Sequence, residues 1–173
     1  MKHSNRVRPG FRLFALGALC VGLLLACLAV SGVALAGGGN SANAKKCQKG
    51  GWQTLQTSTG GTFANQDECV SYGAQGGELF RPLLTAVPTE VVEDQGIDLT
   101  ASGFHASANA TVDIVLFGGG SLTLPAVTDA TGGRMFTSVF TSGACANGIS
   151  GAEYTFTDEF GLHASATVTL DCP

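Results

Sequence analysis

The sequence predicts an all-β fold, an antiparallel β-sandwich of six or seven strands over residues 83–173. Three observations predict it. Between 97 and 170, short stretches alternate apolar and polar residues with a period of two. Glycine-bearing breaks separate these stretches at Ser102-Gly103, Gly118-Gly119-Gly120, Thr131-Gly132-Gly133 and Phe160-Gly161. No stretch there repeats apolar residues at helical spacing, which favours a sandwich or barrel over an α/β fold.

The elements follow in order. The lead-in over 83–92 is broken by Pro88, which lacks a backbone N–H and marks an edge strand or a bulge. Ile97, Leu99 and Ala101 fall on one face of a strand, as do Val112, Ile114 and Leu116 around Asp113. The stretch 135–140 is strand-like but carries large apolar groups on both faces, so its inward face stays open. Tyr154 and Phe156 alternate with Glu153, Thr155 and Thr157. Ala164, Ala166, Val168 and Leu170 alternate with Ser165, Thr167, Thr169 and Asp171. One dry face and one wet face is the pattern of an antiparallel sheet.

Ahead of the sandwich, residues 1–36 read as an export signal helix. Lys2, Arg6, Arg8 and Arg12 precede an apolar run over 13–36, and Ala34-Leu35-Ala36 has the small-x-small form of a cleavage site. Two other fates stay open. The run is long enough to span a bilayer if uncleaved, and Leu24-Leu25-Ala26-Cys27 resembles a bacterial lipobox with Cys27 as the lipidated residue. Cleavage and secretion is the expectation, with the membrane touched only through this N-terminal segment otherwise. Residues 37–46, rich in Gly, Ser, Asn and Ala, are then expected to be a flexible linker.

Without the signal, about 137 residues remain, enough for one modest core that buries about two-thirds of the unfolded surface. They carry five Lys or Arg against thirteen Asp or Glu, a balance of −8. An acidic surface without a basic patch argues against nucleic acid as a partner.

Residues 47–78 form a small cysteine-paired segment. Its C-x-x-G-G-W opening and F-x-N-Q-x-x-C-V-S-Y close resemble a short motif of secreted bacterial proteins. The match rests on Cys47, Gly50, Gly51, Trp52, Phe63, Asn65, Gln66, Cys69, Val70, Ser71 and Tyr72. The resemblance implies an exported bacterial protein and attaches no activity. Export makes oxidation the expected state. Four cysteines outside the signal allow three pairings; the two local ones, Cys47 with Cys69 and Cys145 with Cys172, are expected. Each contributes about 3 kcal/mol in the chain-entropy model. Cys172 is in phase with Val168 and Leu170 and is expected to point toward the core. Trp52 and Tyr72 have two readings: packing around the bridge, or stacking on a sugar or a peptidoglycan stem.

The sandwich also has a family look. Gly96-Ile97-Asp98-Leu99-Thr100-Ala101-Ser102-Gly103-Phe104, then Ala110-Thr111-Val112-Asp113-Ile114, then Thr128-Asp129-Ala130-Thr131-Gly132-Gly133, resembles bacterial Ig-like domains. Neocarzinostatin-like chromophore carriers share the opening, with cysteine pairs placed elsewhere. The resemblance implies an Ig-like sandwich and no particular function.

The chemistry-bearing residues are sparse. His105 and His163 have no G-x-S-x-G elbow or H-E-x-x-H pair beside them. There is no cofactor fingerprint, and no C-x-x-C or Cys/His cluster for zinc. Glu93-Asp94 and Asp158-Glu159 are read as solvated turn acids ahead of a calcium site. The expectation is an exported, non-enzymatic module that binds a protein, glycan or cell-wall component. The alternatives are a small-ligand carrier and an extracellular hydrolase that uses His105 or His163.

Overall fold

A computed structural model of the chain describes residues 41–173. The export-signal, Cys27 and 37–40 assignments lie outside the described residues. Ten strands and two α-helices are present among the described residues: α1 (Ser41–Lys46), β1 (Gln56–Thr57), α2 (Gln66–Ala74), β2 (Leu79–Phe80), β3 (Leu83–Val87), β4 (Glu90–Val91), β5 (Gly96–Ser102), β6 (Asn109–Phe117), β7 (Ser121–Val127), β8 (Arg134–Val139), β9 (Gly151–Asp158) and β10 (His163–Leu170). No helix among them is long and apolar enough to cross a membrane.

The sandwich has a five-stranded sheet in the order β4-β10-β9-β6-β7 and a three-stranded sheet in the order β3-β5-β8. Its pairings are antiparallel except β4 with β10, which run parallel. Eight strand segments take the place of the six or seven expected, because the lead-in divides at Pro88. Its first half pairs with β5 in one sheet and its second half with β10 in the other. Pro88 therefore sits where the chain passes between two sheet edges, the position its missing N–H tolerates best.

The period of two carries over into burial. Ile97, Leu99 and Ala101 are buried, as are Ala110, Val112, Ala152, Tyr154, Phe156, Val168 and Leu170. Phe156 anchors the centre, with Phe104 edge-on at 4.8 Å and Phe136 at 6.4 Å between ring centroids. The open question over 135–140 resolves in favour of Phe136, Ser138 and Phe140. Phe140 is buried, and Ser138 Oγ lies 2.9 Å from the Tyr154 hydroxyl. Met135 and Val139 face outward.

The cysteine-paired segment has its own small core of Cys47, Leu55, Phe63 and Cys69, with Trp52, Val70, Tyr72 and Leu79 packed against it. Two features differ from expectation. Residues 41–46, part of the expected linker, are helical, and α1 crosses α2 at Gly73. A Cβ there would stand 3.0 Å from Ala44 N, so a larger residue would press the two helices apart by a few tenths of an ångström. The segment also holds α2, which starts at a capping arrangement. Asn65 Oδ1 accepts from Glu68 N–H at 2.9 Å, and Glu68 Oε2 accepts from Ala64 N–H at 2.8 Å.

The two disulfides are Cys47–Cys69 and Cys145–Cys172, chemistry that belongs to an oxidising compartment. Cys172 corrects its expected direction. β10 ends at Leu170, so the period carries Cys172 past the rim of the core. It is exposed and joins the 3-10 turn Cys145–Asn147 at the sandwich end.

Candidate functional site

The segment and the sandwich are joined by specific contacts. The buried Gln56 amide donates to His163 C=O at 2.8 Å, and its Oε1 accepts from His163 N–H at 3.1 Å. Gly60 approaches Gly161 so closely that a Cβ would lie 1.9 Å from the Gly161 carbonyl oxygen. The Phe80 ring lies on the His105 ring with centroids 4.3 Å apart.

His105 is a clasp in this arrangement. The Phe160 ring also packs against it with centroids 4.4 Å apart, and His105 Nδ1 lies 2.9 Å from Asp158 Oδ2. Asp158 is buried at 3 % exposure, which corrects its reading as a solvated turn acid. Its Oδ2 also accepts from His105 N–H at 3.2 Å, and its Oδ1 accepts from the N–H groups of Phe160 and Leu162 at 3.1 and 3.0 Å. Both oxygens of this buried side chain are thereby satisfied, from two chain turns at once, as buried polar atoms must be. His163 Nδ1 donates to Gly161 C=O at 3.1 Å.

The acids at the opposite end act in the same way. Glu93 Oε1 accepts from Cys145 N–H at 2.7 Å, and Asp94 accepts from both the N–H and the hydroxyl of Ser142. The two acidic pairs do not meet. Among the described residues, no three His, Cys, Asp or Glu are grouped to hold a metal ion.

Trp52 and Tyr72 are half-buried against the Cys47–Cys69 bridge, and Tyr72 tilts onto Phe63 at 5.6 Å. They belong to one cluster around the cystine.

The most ligand-like surface was not read from the sequence. Leu122 and Leu124 of β7 pair with Ile114 and Val112 of β6. Directly paired residues share a face, so these leucines point to the side on which Val112 is buried. The opposing sheet ends at β8, however, and among the described residues they are left largely uncovered. Leu122 is 54 % exposed and Leu124 42 %. The result is an open apolar trough between the edges β7 and β8. A cleft of about 300 Å³ lies at its Ala126–Arg134 end. Another of about 340 Å³ lies at its Leu116–Phe140 end, floored by Ile149. Polar groups line both clefts, Asn109 and Arg134 at the first and Thr141, Ser142 and Asn147 at the second. Burial pushes the Tyr154 phenol above its usual range, and the Ser138 bond draws it back in part. Tyr154 therefore stays neutral at ordinary pH and can donate a hydrogen bond.

No protein-family model matches the chain, and no curated protein matches it in sequence. Solved structures offer similarities. Macromomycin superposes over 52% of this chain and 99% of its own, with a TM-score of 0.40 and 12% identity. The PKD domain of an M14-like peptidase from a Thermoplasmatales archaeon covers 53% of this chain and 96% of its own, at 0.32 and 14%. The Pseudomonas fluorescens alkylpurine DNA glycosylase AlkC, bound to DNA containing an abasic site analog, covers 54% of this chain and 30% of its own, at 0.34 and 11%. Each similarity is distant in sequence and in superposition.

Proposed function

We propose that the chain is an exported, non-enzymatic binding module that acts outside the cell, with the β7–β8 trough as its ligand seat. The observation that carries this reading is the pair Leu122 and Leu124, which lie on the core face of the sheet yet meet water. Contiguous exposed apolar surface on a small domain marks a candidate binding patch. Export fits the basic-then-apolar amino end and the two bridges. Both histidines are held by structural partners, His105 by Asp158 and His163 by Gly161, which supports a binding role over hydrolysis.

The narrower reading, a small-ligand carrier, is favoured by the size of the two end clefts. Volumes near 300 Å³ fall at the lower end of the range of small-molecule sites, and the walls here mix apolar and polar groups. Titration with the fluorophore anilinonaphthalene sulfonate tests the seat, and native mass spectrometry of protein from its own host tests the carrier. The folded protein is expected to bind the dye, and Leu122→Asp with Leu124→Asp to weaken it at least about tenfold without unfolding. Equal dye binding by the double variant overturns the trough as the seat. A co-purifying molecule under about 500 Da, a size such clefts accommodate, supports the carrier reading, and a bare chain argues for a macromolecular partner.

A further inference from the structure

A second groove lies away from the trough, where the cysteine-paired segment meets the sandwich, and its volume is about 520 Å³. The 3-10 turn Gly51–Thr54 forms one wall, and the start of β10 forms the other. Its shape is fixed in advance, because the reciprocal Gln56–His163 bonds and the Gly60–Gly161 contact hold both walls.

Leu55, Pro82, Leu83 and Ala164 supply apolar parts of the lining, and polar groups stand among them. Gln53, Thr54, Thr62 and Ser165 present amide and hydroxyl groups, and His163 and Arg81 stand beside them. Arg81 is exposed and forms no ion pair among the described residues. Its guanidinium reaches over the turn, with Nη2 3.9 Å from where a Cβ on Gly51 would sit. No acid lines the groove, although the chain holds thirteen. An acid-free concavity carrying an unpaired guanidinium is locally positive on an otherwise acidic protein, and low-dielectric walls focus that field.

We propose that this groove is a binding site for a carboxylate, with Arg81 as the anchoring charge. A guanidinium offers two parallel N–H groups to the two carboxylate oxygens, a geometry that lysine cannot match. Gln53, Thr54 and Ser165 then bond the hydroxyl or amide groups that flank the carboxylate. Two sources share this chemistry: a uronic-acid saccharide and the free carboxyl end of a short peptide. The site is independent of the trough, so either can fail alone.

Chemical-shift mapping of the full mature chain tests it, with trigalacturonate and N-acetyl-alanyl-alanine as probes and maltotriose as the uncharged control. One carboxylate probe is expected to shift the Gln53, Thr54 and Ser165 amides saturably, and the probe that binds identifies the source. Arg81→Gln is expected to weaken that probe about tenfold or more. Arg81→Lys should recover part of the loss. No saturable shift at the groove with either carboxylate probe overturns the proposal. So does equal binding by Arg81→Gln, or maltotriose binding as tightly as the carboxylates.

Discussion

The cysteine-paired segment and the sandwich are closed by disulfides of similar span, with sequence separations of 22 and 27, yet the bridges sit in opposite environments. Cys47 and Cys69 are fully buried and form half of the four-residue core around them. Cys145 is half-buried and Cys172 exposed, at the rim of a sandwich that buries sixteen other side chains in its core. In the first region the cystine is half of the core. In the second it ties down the chain's end beside a core that exists without it. A bridge of given loop length therefore does not have a fixed structural importance; that depends on how much apolar surface its region buries otherwise.

The comparison is sharpest when each bridge is removed. Cys47→Ser with Cys69→Ser deletes loop closure and places two hydroxyls in a dry site, at about 3 kcal/mol or more. Hydrogen exchange should then show 47–80 losing protection while β5 and β9 keep theirs. Cys145→Ser with Cys172→Ser should cost about 3 kcal/mol or less and loosen only 141–150 and 171–173. If both variants lose protection uniformly along the chain, the two regions are one cooperative unit and the contrast fails.

A smaller effect measures how the regions are joined. Gln56→Ala removes both of its bonds to His163 and leaves that N–H and C=O without those partners. The expected cost is about 1–3 kcal/mol, read as faster exchange across β1 and the start of β10, with the Phe156 core unchanged. An unaffected exchange pattern would mean that Phe80 on His105 suffices to hold the segment in place.

These regions also differ in what the sequence disclosed. The sandwich strands were legible because alternation is a local signal, and Ile97, Leu99, Tyr154 and Phe156 are buried as their period requires. In 135–140 alternation fails as a guide, because either face is apolar. The choice is made by Tyr154, whose hydroxyl meets Ser138 from a strand in the other sheet. Asn65-x-x-Glu68 is a helix-start signal, but α2 is too short, at nine residues, to carry a clear apolar period behind it. The burial of Asp158 depends on His105, 53 residues away, and no local pattern carries that. The trough is hidden for a similar reason. Leu122 and Leu124 look like core residues, and only the unequal size of the two sheets leaves them uncovered.

The smallest effect tests whether a sandwich turn is stabilised locally, without help from either bridge. Asp129 Oδ1 accepts from Thr131 Oγ1 and Thr131 N–H at 2.7 Å each, and from Gly133 N–H at 3.0 Å. These bonds, the Thr131 hydroxyl first, hold its carboxyl below the ordinary carboxylate range. A carboxyl whose native value is depressed binds a proton more readily in the unfolded chain. Its contribution is therefore present above about pH 4, the unfolded value, and is lost as pH falls through the lower native one. Thermal melts of the native protein and Asp129→Asn should differ by a constant margin from pH 7 to 5. That margin should narrow between pH 4 and 2, because asparagine accepts the same bonds without a charge to titrate. A margin unchanged at pH 2 would show that the carboxylate charge adds nothing to this turn.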